Sequence, residues 1–124
     1  MDKDPNDLWP DIDDEEMTTP LTILKEQGSF LAKKTKGLLE IEIVTSSESS
    51  KFYHNFNIVV SVLDYTYRLF RVSHDVMLYP LDVFWLNKYY KVDDEKAFRE
   101  FLGRILSDDS TRTIVLALLA QAKS

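Results

Sequence analysis

Ser73, His74 and Asp75 place the residue types of a serine hydrolase side by side. In such enzymes an imidazole takes the proton of the hydroxyl nucleophile, and a carboxylate orients the imidazole, so the three side chains must converge. Consecutive residues of a strand point to opposite faces and therefore cannot converge in this way. We interpret the run as the polar end of a strand that enters a turn.

A metal site would have to use the two histidines of the chain, His54 and His74, with a carboxylate. If Asp64 and Tyr65 form a hairpin loop, His54 lies opposite Asp75 on the neighbouring strand. Two ligands are too few for a typical zinc site, and the usual helical spacing of paired histidines is missing. We expect a polar cross-strand pair instead, in which the histidine pKa is mildly raised.

Glu40 and Glu42 share one face of a predicted strand, where paired carboxylates can serve acid–base or Mg²⁺ chemistry. No suitably spaced lysine follows them, and alternating glutamates are typical of a solvent-facing strand. The three glycines, at positions 28, 37 and 103, are too far apart for a phosphate-binding loop. The sequence therefore predicts no catalytic residue, no metal ligand and no cofactor.

The N-terminal stretch from 6 to 17, NDLWPDIDDEEM, combines acidic residues with large apolar ones. Residues 1–20 contain eight acids and one lysine, a formal charge of −7, whereas the rest of the chain has 13 acids and 14 bases. The acidity is therefore confined to this end, and we expect residues 1–18 to form a disordered tail.

Three interpretations of this tail remain open. It is an inert solubilising segment, a linear docking motif in which Leu8, Trp9 and Ile12 anchor to a basic partner, or a segment that folds back on the protein itself. A tail selected for solubility alone has no need of tryptophan, so we expect Trp9 to be buried against something.

Aromatic residues are frequent in the middle of the chain, and most are expected in the core or as strand formers. The sequence Lys88-Tyr89-Tyr90-Lys91 falls in a predicted linker, residues 87–92, and reads as exposed. Tyrosines flanked by lysines can bind an acidic peptide or a single nucleic-acid strand.

The pattern of apolar residues predicts an α+β domain over residues 19–124. A threonine-capped helix from Pro20 to about Lys34 is followed by segments that alternate apolar and polar residues, and two amphipathic helices follow from Asp93 onward. The predicted strands cover residues 39–43, 51–63, 67–73 and 77–84. Strands without intervening helices form an antiparallel meander, which the helices must cover. Pro80 suggests that the fourth strand lies at an edge or carries a bulge.

The chain contains no cysteine, has no basic flank of a secretory signal, and has no apolar run long enough for a membrane span. We therefore expect a cytoplasmic protein without membrane contact. The body has nearly balanced charge, so nucleic acid is not the expected ligand.

The leading functional hypothesis is a small protein-binding module that acts without catalysis, such as a stoichiometric inhibitor, an immunity or antitoxin-like protein, or an adaptor. A nucleic-acid binder is the alternative, in which the acidic tail competes for Lys33, Lys34, Lys36, Lys88 and Lys91. A metal-dependent hydrolase that uses the glutamates and histidines is the weakest hypothesis. A homodimer that pairs through an edge strand is a further open alternative.

Overall fold

The computed structural model describes residues 4–12 and 17–124. These residues form three α-helices and five β-strands. In chain order the elements are α1 (Pro20–Lys34), β1 (Glu40–Glu48), β2 (Lys51–Val60), a 3-10 turn (Ser61–Leu63), β3 (Tyr65–His74), β4 (Leu81–Trp85), β5 (Lys88–Val92), α2 (Glu95–Ser107) and α3 (Asp109–Ala122). The α+β class with an antiparallel sheet is confirmed, and the sheet has one strand more than predicted.

Side-chain caps fix the starts of the helices. The Thr19 hydroxyl accepts a hydrogen bond from the amide of Thr22 at 3.1 Å, and Pro20 occupies the first turn of α1. Asp94 accepts from the amide of Ala97 at 2.8 Å at the start of α2. Each cap satisfies an amide that has no partner within the helix, so the predicted helix starts follow directly from local sequence.

The five strands form one sheet in the order β1-β2-β3-β4-β5, and each pairs antiparallel with its neighbours. Alternate residues of the strands point to one face, where all three helices pack on them. This face forms the hydrophobic core, which includes Phe56, Val72, Val83, Phe98 and Ile23. A smaller cluster around Ile58, Val60 and Leu118 extends it under α3.

The linker predicted over residues 87–92 is wrong, because Lys88–Val92 is strand β5. A two-residue turn, Leu86 and Asn87, joins β4 to β5, and both residues have positive φ, at 50° and 61°. Such turns match the twist of paired strands, and asparagine tolerates this conformation better than most residues. The fourth strand is consequently internal, and Pro80 lies just before it rather than at a sheet edge.

The predicted register between β2 and β3 is also wrong. The 3-10 turn and Asp64, which has a left-handed φ of 50°, close the hairpin, so that Val60 pairs with Tyr65. The turn therefore lies earlier than the expected Asp64-Tyr65 loop. As a result His54 faces Val72 across the strands instead of Asp75.

A β-bulge interrupts the pairing of β2 with β3 at Phe56 and Asn57. Phe56 pairs with Phe70 and Asn57 pairs with Arg68, which leaves Leu69 as the extra residue. Leu69 and Phe70 are both buried in the core, at 8% and 1% exposure. Simple alternation would have turned one of them outward, so the bulge lets two adjacent apolar residues share the helix-covered face.

The predicted acidic tail, residues 1–18, is only partly described, since residues 1–3 and 13–16 lie outside the described residues. Its described part contains no helix or strand, and its residues are exposed at 4–12, 17 and 18. Within the described part of the chain, no helix is long and apolar enough to cross a membrane.

At Gly28, α1 lies close against the sheet. A Cβ atom added there would lie 2.8 Å from the Cβ of Ile41 on β1. Real Cβ atoms do not approach one another this closely, so any side chain would push the helix and strand apart. The glycine that weakens α1 as an isolated helix is therefore required by its packing.

Gly28→Ala should destabilise the protein by about 1–3 kcal/mol, because the overpacking against Ile41 outweighs the better helix propensity of alanine. The matched control is Gly103→Ala in α2, where an added Cβ meets nothing within 4 Å. The control should stabilise by up to about 1 kcal/mol. Urea unfolding of both variants measures the two changes, and a stabilised Gly28→Ala would contradict the proposed close approach.

Candidate functional site

The face of the sheet opposite the helices is the main candidate surface. We call it the open face. The strand residues of the hydrophobic core all lie on the other face, which the helices cover. The open face is polar at β1, where Glu40 and Glu42 lie, and becomes aromatic and basic toward β5. The residues of this second part, which we call the arginine–aromatic patch, are Tyr53, Asn55, Arg68, Arg71, Phe84, Tyr89 and Lys91.

Strand register aligns four patch residues in a single row. Asn55 pairs with Arg71 across β2 and β3, and Arg71 pairs in turn with Phe84 on β4. Phe84 then pairs with Tyr89 on β5, with the two ring centroids 4.8 Å apart. Directly paired side chains on one face lie within contact distance, so the row forms a continuous ridge over four strands.

The two arginines are held over aromatic rings. The guanidinium carbon of Arg71 lies 5.8 Å from the ring centre of Tyr53, and its Nε donates to Asn55 Oδ1 at 2.8 Å. The guanidinium carbon of Arg68 lies 6.0 Å from the ring centre of Phe84. Each such contact is worth about 0.5–1 kcal/mol when exposed, and it restricts a side chain that would otherwise be mobile. The bulge places both arginines outward, since Leu69 and Phe70 between them turn inward.

The four residues predicted to bind a partner, 88–91, do not all lie on the same face of the sheet. Tyr89 and Lys91 belong to the arginine–aromatic patch, and Tyr89 is 75% exposed. Lys88 and Tyr90 point to the helix side, as strand alternation requires. Tyr90 packs there on Phe101 with the ring centroids 5.0 Å apart, so it is not available to a partner on the open face.

The predicted anchors of the acidic tail are exposed. Leu8, Trp9 and Ile12 have exposures of 92%, 73% and 77%. The amide of Trp9 donates to Asp7 Oδ1 at 3.0 Å, which forms a local turn. The structure therefore presents these side chains at the surface, and their proposed role in docking stays a prediction.

The lysines proposed for nucleic-acid binding do not form one surface. Lys33, Lys34 and Lys36 lie at the end of α1, which packs beside β1. Lys88 and Lys91 lie on β5, the opposite edge strand. A single strand of nucleic acid would have to cross the whole sheet to contact both groups.

The residues considered for catalysis are separated by the sheet. Ser73 pairs with Asp82 on the open face, whereas His74 is buried on the helix side. Glu42 lies on the open face, away from both histidines. Across residues 4–12 and 17–124, no group of three or more His, Cys, Asp or Glu side chains could hold a metal ion.

The two histidines contact each other, an arrangement that the sequence interpretation did not anticipate. Their Nε2 atoms lie 2.8 Å apart, and both side chains are buried, at 3% and 7% exposure. His54 Nδ1 lies 2.9 Å from the Thr45 hydroxyl, and His74 Nδ1 lies 2.7 Å from the carbonyl of Asp75. The predicted contact of His54 with Asp75, and with it the raised pKa, is therefore wrong: burial and the nearby charge of His74 lower the pKa of His54 to about 4.

Comparison with protein-family models, with curated proteins and with solved structures finds no match for this chain.

Stability should fall as the pH drops from 6.5 toward 4, because the unfolded chain binds a proton at His54 that the folded chain excludes in this window. The stabilisation from neutral His54 is complete above pH 6.5 and amounts to about 3 kcal/mol before it is lost. Urea unfolding at several pH values, with wild type beside His54→Gln, measures it. The variant should show a flatter dependence, and parallel curves for the two proteins would refute the assignment to His54.

Proposed function

We propose that this protein is a small protein-binding module that acts by stoichiometric binding and without catalysis, as an inhibitor, an immunity or antitoxin-like protein, or an adaptor. The observation that carries the proposal is the arginine–aromatic patch, in which Arg68 and Arg71 stack on rings of a sheet face without helical cover. Tyrosine and arginine are among the residues that dominate the binding energy of protein interfaces.

Preorganisation supports this interpretation of the patch. Binding normally immobilises long side chains, at about 0.5–1.5 kcal/mol for each one. Arg71 is already restrained by the ring of Tyr53 and by its hydrogen bond to Asn55. Its remaining N–H groups can therefore bind a partner with a reduced entropic penalty, and a carboxylate is the group that fits their planar geometry best.

Charge defines the kind of partner for the patch. Arg68, Arg71 and Lys91 are its charged members. Asp82 lies on the same face and pairs with Lys91, so it offsets that charge, whereas the glutamates of the open face lie farther off, on β1. A protein segment that presents carboxylates beside apolar side chains would match this distribution. Leu8, Trp9 and Ile12, within an acidic stretch, form a second proposed contact, directed at a basic surface of the partner.

The absence of an enzymatic role is part of the proposal. It is supported by the separation of Ser73 from His74 and of Glu42 from the histidines. Each of these pairs lies on opposite faces of the sheet, and a reaction requires its groups on one side. A cytoplasmic location without membrane contact is proposed with it, since a chain without cysteine suits a reducing compartment.

Arg68→Ala combined with Arg71→Ala should abolish retention of the partner while leaving the fold intact, because both side chains lie on the solvent side of β3. Tagged full-length protein, purified from a native lysate, is compared with this double variant and with a version lacking residues 1–17. The matched control is Lys33→Ala with Lys34→Ala, which removes two positive charges on the helix side. A one-to-one complex kept by the control and lost by the arginine variant is the expected result.

Equal retention of the same partner by wild type and the arginine variant would contradict the assignment to the open face. Loss of that partner when residues 1–17 are removed would add Leu8, Trp9 and Ile12 to the interface. Retention of the partner without these residues would confine the binding site to the folded domain.

Nucleic-acid binding is the second candidate, favoured by the combination of exposed rings and arginines on one sheet face. Single strands bind such surfaces by stacking of bases on aromatic side chains. Removal of residues 1–17 should then create affinity for single-stranded RNA that falls steeply with salt. Fluorescence anisotropy with a labelled oligonucleotide measures this, and negligible affinity of both forms would exclude the candidate.

A further inference from the structure

When both histidine rings are neutral, the contacts of the pair determine which ring nitrogens donate a hydrogen bond and which accept one. A backbone carbonyl can only accept, so His74 Nδ1 carries the hydrogen that points at Asp75 O, 2.7 Å away. His74 Nε2 then has a lone pair, and His54 Nε2 must donate to it across 2.8 Å. His54 Nδ1 is left as the acceptor of the Thr45 hydroxyl hydrogen at 2.9 Å. Every polar atom of this chain of contacts is thus satisfied.

One added proton can be accommodated without moving the rings. If the proton enters at His54 Nδ1, the Thr45 hydroxyl rotates and accepts instead of donating. The hydrogen between the two Nε2 atoms then shifts to His74, so that the charge lies on His74 and His54 remains neutral, in agreement with the low pKa of His54. The hydrogen bonds to Thr45 and to Asp75 both persist, and the geometry of the pair stays as it is.

A second proton cannot be accommodated in the same geometry. Both Nε2 atoms would carry hydrogens that face each other across 2.8 Å, with no lone pair between them. Two positive charges would also lie side by side in a buried site, where such charges are strongly unfavourable. The rings must therefore separate when the second proton binds.

The backbone next to His74 would respond to that separation. The Asp75 carbonyl accepts from His74 Nδ1 and also from the amide of Leu78, which closes the turn after β3. The tip of this turn exposes two large apolar side chains, Val76 at 76% and Met77 at 74%. Phe52, which is 39% exposed, stacks on the ring of His74 with the centroids 5.5 Å apart.

We propose that His54 and His74, with Thr45 and the Asp75 carbonyl, form a proton-operated latch that keeps the 75–80 turn closed with one added proton or none and opens it with the second. The apolar tip of the turn and Phe52 would become mobile in the open state. The low pKa of His54, about 4, assigns the second proton to this residue and to that pH region.

Other titratable groups surround the latch and have to be separated from it in any test. Lys51, Asp75, Asp82 and Lys91 line the same cleft as His74. The side chain of Asp75 also accepts a hydrogen bond from the amide of Met77 at 2.8 Å, a contact within the same turn that does not involve the histidine pair.

The test combines imidazole ¹⁵N resonances with amide hydrogen exchange in the full chain from pH 7.5 to 3.5. His54 should take up the second proton near pH 4. Protection of the Met77 and Leu78 amides, corrected for intrinsic exchange, should then fall by about tenfold or more relative to α2. His54→Gln should keep its protection, whereas Asp75→Asn, a control that retains the carbonyl, should lose it as wild type does.

Thr45→Val gives a second test if His54→Gln does not fold. Without the hydroxyl, a hydrogen on His54 Nδ1 has no acceptor, so the first proton should be taken up at a lower pH than in wild type. The proposal is overturned if protection is constant while both rings become protonated, or if His54→Gln loses protection as wild type does. Tight binding of Zn²⁺ that His54→Gln abolishes would also overturn it, because the pair would then be a metal site.

Discussion

One-sided coverage of the sheet is the constraint on which the rest of the structure depends. The helices reach the sheet at different places: α1 packs beside β1, α2 beside β5, and α3 near the turn between β2 and β3. All three nevertheless bury the same face, where Ile23, Phe98 and Leu118 meet the inward residues of the strands. Apolar residues are consequently concentrated on this side, and the opposite face must be compatible with water.

The open face satisfies this requirement in an uneven way. Near β1 it carries glutamates, which are ordinary solvent-facing residues. Toward β5 it carries stacked arginines and rings instead, although simpler polar residues would solvate the face equally well. This excess of binding-type residues over what solubility requires is the basis of the proposed function.

The sequence was sufficient for features set by local periodicity. The threonine and aspartate caps, the α1 boundaries and the alternation along β1 and β2 follow from neighbouring residues, and they agree with the structure. The turns were less predictable. Asp64, Leu86 and Asn87 adopt positive φ without glycine, so the usual signal for a tight hairpin is absent. Because the Leu86-Asn87 turn was not recognised in the sequence, the residues of β5 were predicted to be a linker.

The candidate site was predicted only in part, because it depends on contacts between distant residues. Tyr89 and Lys91 were identified from composition. If residues 88–92 had been recognised as a strand, alternation would have placed these two residues on one face and Lys88 and Tyr90 on the other. Arg68 and Arg71 could not be placed without the bulge at Leu69, which sets both on one face. The sequence Arg68-Leu69-Phe70-Arg71, two apolar residues between two arginines, was the available signal for this bulge. Prediction of the contact between His54 and His74 likewise required the correct register of β2 and β3, which is set by the turn between these strands.

The central claim is that a partner binds to the open face of the sheet. A photoreactive benzoyl-phenylalanine in place of Phe84 tests it directly, with the same residue in place of Phe30, half exposed on α1, as the control on the helix side. After irradiation in native lysate, we expect one discrete adduct from position 84 and none from position 30, with the partner identified by mass spectrometry. An adduct with that partner from position 30 alone, or no adduct from position 84, would contradict the claim.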